Sequence, residues 1–205
     1  MAKIKFTKGE LKRQRDALQQ FERYLPILRL KKQQLQLEIR HIRERLDFKI
    51  QEIDTIEGEI NDWAGLLNEA GDLVAKWATP KSISRGILNI AGVDIPIFEA
   101  ANFETPEYDL FLTPLWIDTA IEKIRQIVVL IEEEKIFKEQ IAILGQELSI
   151  TTQRVNLFEK VKIPECKENS RLIRIYLGDQ QTNAVGRSKI AKSKIEKMVS
   201  EGVLV

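Results

Sequence analysis

The sequence predicts a mainly α fold: a long antiparallel two-helix left-handed coiled coil with a small β-hairpin cap between the helices. Three observations carry this prediction. A heptad repeat runs from Leu11 to Trp77, a second apolar helical stripe runs from Ile117 to Phe158, and the 35 residues between 78 and 112 change to a strand period. Composition agrees: 31% of the 205 residues are charged and only 10 are glycine, the make-up of long helices rather than of a compact mixed domain.

Counted from Leu11, the a positions are Leu11, Leu18, Leu25, Lys32, Ile39, Leu46, Ile53, Ile60, Leu67 and Val74. The d positions are Gln14, Phe21, Leu28, Leu35, Ile42, Lys49, Ile56, Trp63, Ala70 and Trp77. Seventeen of the twenty are apolar, where a composition of 43% apolar residues would place about nine. A strict seven-residue repeat of that length implies a left-handed supercoil with a partner helix, and at ~1.5 Å per residue a rod of about 100 Å.

The partner helix lies downstream. Thr113 is an N-cap candidate with Pro114 at the first helical position. From there the stripe passes through Ile117, Ile121, Ile124, Ile127, Val128 and Ile131, then narrows to Phe137, Ile141, Leu144, Leu148, Thr151, Val155 and Phe158. Between the helices, "ISRGILNI" and "VDIPIF" read as two strands turning near Gly92, with Pro96 on an edge. Ala91-Gly92 is not the favoured pair for a two-residue turn, so a longer loop is expected. The chain thus divides into a first coiled-coil helix over 1–77, a hairpin cap over 78–112, a second coiled-coil helix over 113–164, and a C-terminal helical segment with a basic tail over 165–205.

If Trp77 leaves one helix near where Pro114 opens the other, facing residue numbers sum to roughly 190 and Pro26 lies opposite Pro164. Two helix-interior prolines at one level, each removing a backbone hydrogen bond at about 3 kcal/mol, suggest a shared kink. Gly178 and Gly186 leave the continuity of the last helix past Gly178 open.

The net charge of +1 hides an asymmetry. Residues 1–45 hold thirteen Lys/Arg against five Asp/Glu, and residues 99–139 hold four against ten, so the two ends should meet different partners. Cys166 is the only cysteine, which rules out an internal disulfide and points to a reduced, cytoplasmic setting. No apolar run reaches the length of a membrane span, so membrane association is expected through partner proteins, without direct insertion.

Catalytic chemistry has no constellation to rest on, and no cofactor or metal is expected. His41 falls at heptad position c and reads as a surface residue. The glycines lack the Gly-Lys-Ser/Thr ending of a phosphate loop. Glu132, Glu133 and Glu134 read as a solvated face, because consecutive helix positions point in different directions. Lys32 and Lys49, at seam positions, either snorkel to the edge of the coil or fix its register. Gly58, Gly65 and Gly71, at f, f and e, reflect either bending tolerance or close approach of a partner. The tail "GRSKIAKSKIEK" is basic but carries no aromatic residue for base stacking. It binds either nucleic acid through phosphates or an acidic protein surface.

Three blocks resemble the D subunit of the vacuolar-type and archaeal-type rotary ATPases, and point to a bacterial member. They are "LRLKKQQL" (28–35), "NIAGVDIPIF" (89–98) and "TQRVNLFEKVKIP" (152–164), which stand in the family's order. The resemblance implies a non-catalytic central-stalk component: a rotor axle that transmits torque between the catalytic hexamer of A and B subunits and a proton- or sodium-translocating membrane sector. It also implies contacts with the small F subunit and with a socket-like C/d subunit on the membrane rotor ring, with no nucleic acid. On that reading the cations Arg13, Arg15, Arg29, Arg154, Lys160, Lys162, Arg187, Lys189 and Lys192 are candidates for the bore of the hexamer, and Gly58, Gly65 and Gly71 for docking of the F subunit. A free-standing coiled-coil adaptor is the alternative reading.

Overall fold

The computed structural model describes residues 5–107 and 113–200; the side chains at 66–70, 72, 73 and 200 lie outside that description, and with them the predicted seam positions Leu67 and Ala70. In order, the elements are α1 (Lys8–Asn61), a 3-10 turn (Ala64–Leu66), α2 (Leu67–Ala78), β1 (Ser82–Ile90), β2 (Val93–Asn102), α3 (Trp116–Asn156), a π turn (Leu157–Lys162) and α4 (Ile163–Ser200). Two units compose the chain: residues 30–152, and residues 1–29 together with 153–205.

In the unit of residues 30–152, α1 and α3 pack antiparallel. The ion pairs Lys31–Glu147, Lys49–Glu133 and Glu59–Lys123 order the two helices in opposite directions. Facing residue numbers therefore sum to about 180, and the expected 190 is corrected. Buried seam residues follow the heptad: Leu35, Ile39 and Ile42 against Leu144, then Ile53 and Ile56 against Leu130.

The first helix does not reach Trp77. It stops at Asn61, and a turn and the 3-10 segment separate it from α2. Asn61, Asp62 and Gly65 are poor helix residues, whereas Trp63 and Val74 keep the apolar spacing across the break. Trp63 still meets Trp116 at the start of α3, with ring centroids 6.4 Å apart. At the far end of α2, the Trp77 carbonyl accepts from the Arg125 guanidinium at 2.9 and 2.7 Å, nine residues further into α3. So α2 does not prolong α1; it runs back along α3, burying Val74 and Trp77 against Ile117, Ala120 and Ile121.

The hairpin is likewise not an end cap. Ile95, 2% exposed, sits in the same cluster as Leu35, Ile39, Ile42 and Leu144. The strip thus lies along the helix pair, and Gln140, buried on α3, donates to the Pro96 carbonyl. The loop has two residues, not more, with Ala91 at φ 52° and Gly92 at φ 77°. Positive φ at both central positions is the turn whose twist matches the strands. Asn89 supports it, accepting from the Gly92 N–H at 3.1 Å and donating to Asp94 at 2.6 Å. Alternation along the ladder from Ile90–Val93 makes Ile87–Pro96 a pair that exchanges no backbone bonds, so the proline costs the sheet nothing. A bulge follows, with Glu99 as the extra residue between the pairs Arg85–Phe98 and Ser84–Ala100. A Cβ on Gly86 would lie 2.5 Å from Glu99 Oε1, so Gly86 admits that side chain.

The second long helix starts at Trp116, two residues after Pro114, whose carbonyl accepts from the Ile117 N–H. In the unit of residues 1–29 and 153–205, the expected shared kink takes a different form. α1 stays helical through Pro26 and α4 stays helical through Pro164. Glu22 and Arg29, which bracket Pro26, pair with Lys167 and Glu159, which bracket Pro164. These are long exposed side chains, however, and the Phe21–Phe158 and Phe6–Tyr176 ring contacts keep the sum of facing numbers at about 180, so the prolines do not sit directly opposite one another. The irregularity sits on one side only, as the π turn before Pro164. There the Ile163 N–H bonds to the Phe158 carbonyl five residues back, and the wider turn accommodates a proline ring that would crowd the preceding turn of an α-helix. Beyond Gly178 the helix is continuous to Ser200.

Candidate partner-binding surfaces

All nine candidate cations, from Arg13 to Lys192, fall in the unit of residues 1–29 and 153–205. Four are partly neutralised: Arg29 by Glu159 at 2.7 Å, Lys162 by Glu165 at 3.3 Å, Arg13 by Glu10 at 3.5 Å and Lys192 by Glu196 at 3.8 Å. The other five, Arg15, Arg154, Lys160, Arg187 and Lys189, are exposed and make no ion pair with the described residues. Exposed side chains of this kind present charge at little desolvation cost and suit a surface that meets acidic groups transiently.

The same unit has an unpartnered end. Phe6, just before α1, stacks on Tyr176 at 5.0 Å. From Gly178 to Val199 every position of α4 is exposed apart from Gly186, which is half-buried. Val185, Ile190, Ile195, Met198 and Val199 are among the exposed apolar residues there. About 20 residues of helix thus stand without a second helix from the described chain, a length that is marginal in water unless something packs on it.

The three candidate glycines belong to successive elements: Gly58 to α1, Gly65 to the 3-10 turn and Gly71 to α2. They do not lie on one continuous helix. Each has open space among the described residues where a Cβ would stand, so no described neighbour requires glycine there.

The acidic run is not simply a solvated face. Glu132 contacts Arg85 and Lys135, Glu133 contacts Lys49, and Glu134 contacts Lys138; the three carboxylate side chains are only 15–23% exposed. Lys49 joins Glu52 at 2.9 Å and Glu133 at 3.1 Å, and these bonds raise its pKa against the opposing effect of burial. It therefore links α1 to α3 rather than only snorkelling. Cys166 is buried, and burial pushes its thiol pKa up, the reverse of a reactive thiolate. His41 is exposed as expected.

Features missed at the sequence level include a groove of about 450 Å³ under the hairpin, where Glu38, Ile42 and Arg45 face Leu88, Ile97 and Phe137. Exposed Ile87 on β1 and Leu115 before α3 were also missed. Burial depends on which distant element covers a residue, and no spacing rule reports that. Among the described residues, no cluster of three or more His, Cys, Asp or Glu is placed to hold a metal, and no helix is long and apolar enough to cross a membrane.

Comparison with known proteins agrees with these features. The family model for the D subunit of ATP synthase matches residues 10–193. The V-type ATP synthase D subunit of Borreliella burgdorferi is 48% identical over 197 residues, 96% of this chain and 97% of the relative. The V-type ATP synthase D subunits of Chlamydia pneumoniae and Chlamydia felis are 33% and 32% identical over 202 residues, covering 97% and 98% of this chain and 96% and 97% of the relatives. Family match and near full-length identity coincide with paired long helices and an inserted hairpin, and the chain belongs to the family of ATP synthase D subunits.

Proposed function

We propose that this chain is the rotor axle in the central stalk of a V-type ATP synthase, carrying torque between the catalytic A/B hexamer and the membrane sector. Members of its family are non-catalytic subunits, so its role is mechanical. The carrying observation is the polarity of the chain: all nine candidate cations and the unpartnered end of α4 belong to one unit, and the hairpin and α2 to the other. In this reading α1 pairs with α3 and α4 as an antiparallel left-handed coiled coil, stiff enough to transmit rotation. Its basic unit turns inside the hexamer bore, where Arg15, Arg154, Lys160, Arg187 and Lys189 meet acidic loops. The small F subunit binds near Gly58, Gly65 and Gly71, where a backbone without Cβ atoms allows close approach. The socket-like C/d subunit takes the end formed by α2 and the start of α3, which places the complex peripherally on the cytoplasmic face of the membrane.

Affinity purification of the tagged chain from its own cells tests the assignment. A, B and F subunits are expected in stoichiometric amounts; recovery of the chain alone as a homodimer or with unrelated partners would overturn it.

A further inference from the structure

We infer that the π turn at Leu157–Lys162 is a register switch: α4 has two alternative seams against α1, one residue apart, and the turn holds the residue that separates them. Along α3 the seam steps by four and three through Thr151, Val155 and Phe158, the last of which contacts the Phe21 ring at 5.0 Å. Continued in strict heptads, it would next pass through Lys162, Glu165, Asn169, Leu172 and Tyr176. The residues buried are instead Cys166, Ser170 and Ile173, while Glu165, Leu172 and Tyr176 are exposed. Every member of the seam arrives one residue late, which is what a single π turn inserts, and the Ile163 N–H to Phe158 carbonyl bond five residues back marks the insertion.

The residue is stored rather than lost. Rewinding the π turn as α-helix turns all of α4 by about 100° and lengthens it by ~1.5 Å. That rotation withdraws Cys166, Ser170 and Ile173 and brings Asn169, Leu172 and Tyr176 towards α1. Both seams are imperfect. The one in place buries the Ser170 hydroxyl without a hydrogen-bond partner among the described residues, a cost that the alternative relieves. The alternative buries Leu172 and Tyr176, now 37% and 43% exposed, but draws Lys162 and Glu165 towards the interface. Pro164 favours the wide turn, so the observed register is the resting one. Two discrete packings of one helix pair, separated by a one-residue rotation, form the kind of bistable element through which small forces become defined movements. It is a property of this chain alone and does not depend on the rotor assignment.

Cys166, the only cysteine, reports the switch directly, because it is buried in the resting register and turned outwards in the other. Iodoacetamide labelling of the purified full-length chain, followed by intact mass in urea well below the unfolding transition, gives the rate. The proposal expects labelling with little urea dependence, slowed about tenfold by Leu172→Gln, which weakens only the alternative seam. Deleting Val161 together with Pro164→Ala removes the stored residue and keeps Cys166, Ser170 and Ile173 in phase with Phe158, so labelling should slow there too. Labelling that follows global unfolding overturns the proposal. So does a rate unchanged by Leu172→Gln, the result expected of simple fraying, and that substitution at an exposed position answers the question even if the deletion chain does not fold.

Discussion

The side-chain amide of Gln140 on α3 donates to the carbonyl oxygen of Pro96 on β2 at 2.5 Å, and Gln140 is 4% exposed. Pro96 offers no N–H, and its carbonyl points away from β1, so without Gln140 that oxygen would face the helix pair unpaired. Gln140→Leu should therefore loosen the hairpin, destabilising the chain by about 1–3 kcal/mol. Amide exchange in residues 82–102 should rise while exchange in α1 around Leu35 changes little.

Arg125 holds the base of the same hairpin. Its guanidinium donates to the carbonyls of Trp77 and Glu104 and stacks over Phe103 at 5.0 Å, tying α2, the segment after β2, and α3 together. Arg125→Met keeps the stem and loses every bond. A loss of about 1.5–3 kcal/mol, typical of bonds to a charged group, is expected in chemical denaturation. Arg125→Lys should recover only part of it, because one ammonium cannot reproduce the planar fork.

The turn makes a prediction with two signs. Ala91 at φ 52° and Gly92 at φ 77° both occupy left-handed backbone. Ala91→Gly should stabilise by about 0.5–1 kcal/mol by removing the Cβ penalty, and Gly92→Ala should destabilise by about 1–2 kcal/mol. Thermal melts of the two variants would reveal the opposite shifts.

Lys49 gives a pH dependence. Its side chain is 28% exposed, and bonds to Glu52 and Glu133 hold its pKa above the ordinary 10.5. The contribution is therefore complete below pH 10.5 and fades as the pH climbs through the higher folded value. A double-mutant cycle of Lys49→Met and Glu133→Gln should return a coupling of about 0.5–1 kcal/mol near neutrality, vanishing at strongly alkaline pH.

Much of this architecture was legible because it is local. Apart from Ala78, which closes α2, every buried residue of α1 and α2 among those whose side chains are described lies at a heptad a or d position, and the strand alternation marked both arms of the hairpin. The misses came from long-range placement. Trp63 and Val74 kept the heptad through the break at Asn61–Leu66, so apolar spacing concealed a helix that turns back. The hairpin's position depends on Ile95 finding Leu35, Ile39, Ile42 and Leu144, and nothing within residues 82–102 names those partners. The π insertion had left a trace: from Phe158 to Cys166 the seam steps eight residues rather than seven. The charge asymmetry located the basic unit, but which of its cations are paired emerged only with the positions of Glu10, Glu159, Glu165 and Glu196.

The central claim is that this chain turns inside the hexamer and that the free end of α4 is needed for coupling. Single-molecule rotation in the assembled A/B hexamer tests it most directly, with a probe on the surface near Gly58 and a variant ending after Leu177. The full chain should rotate with ATP hydrolysis, and the shortened chain should assemble but lose torque or rotate only intermittently. Hydrolysis without rotation of the full chain, or undiminished torque from the shortened one, would contradict the account.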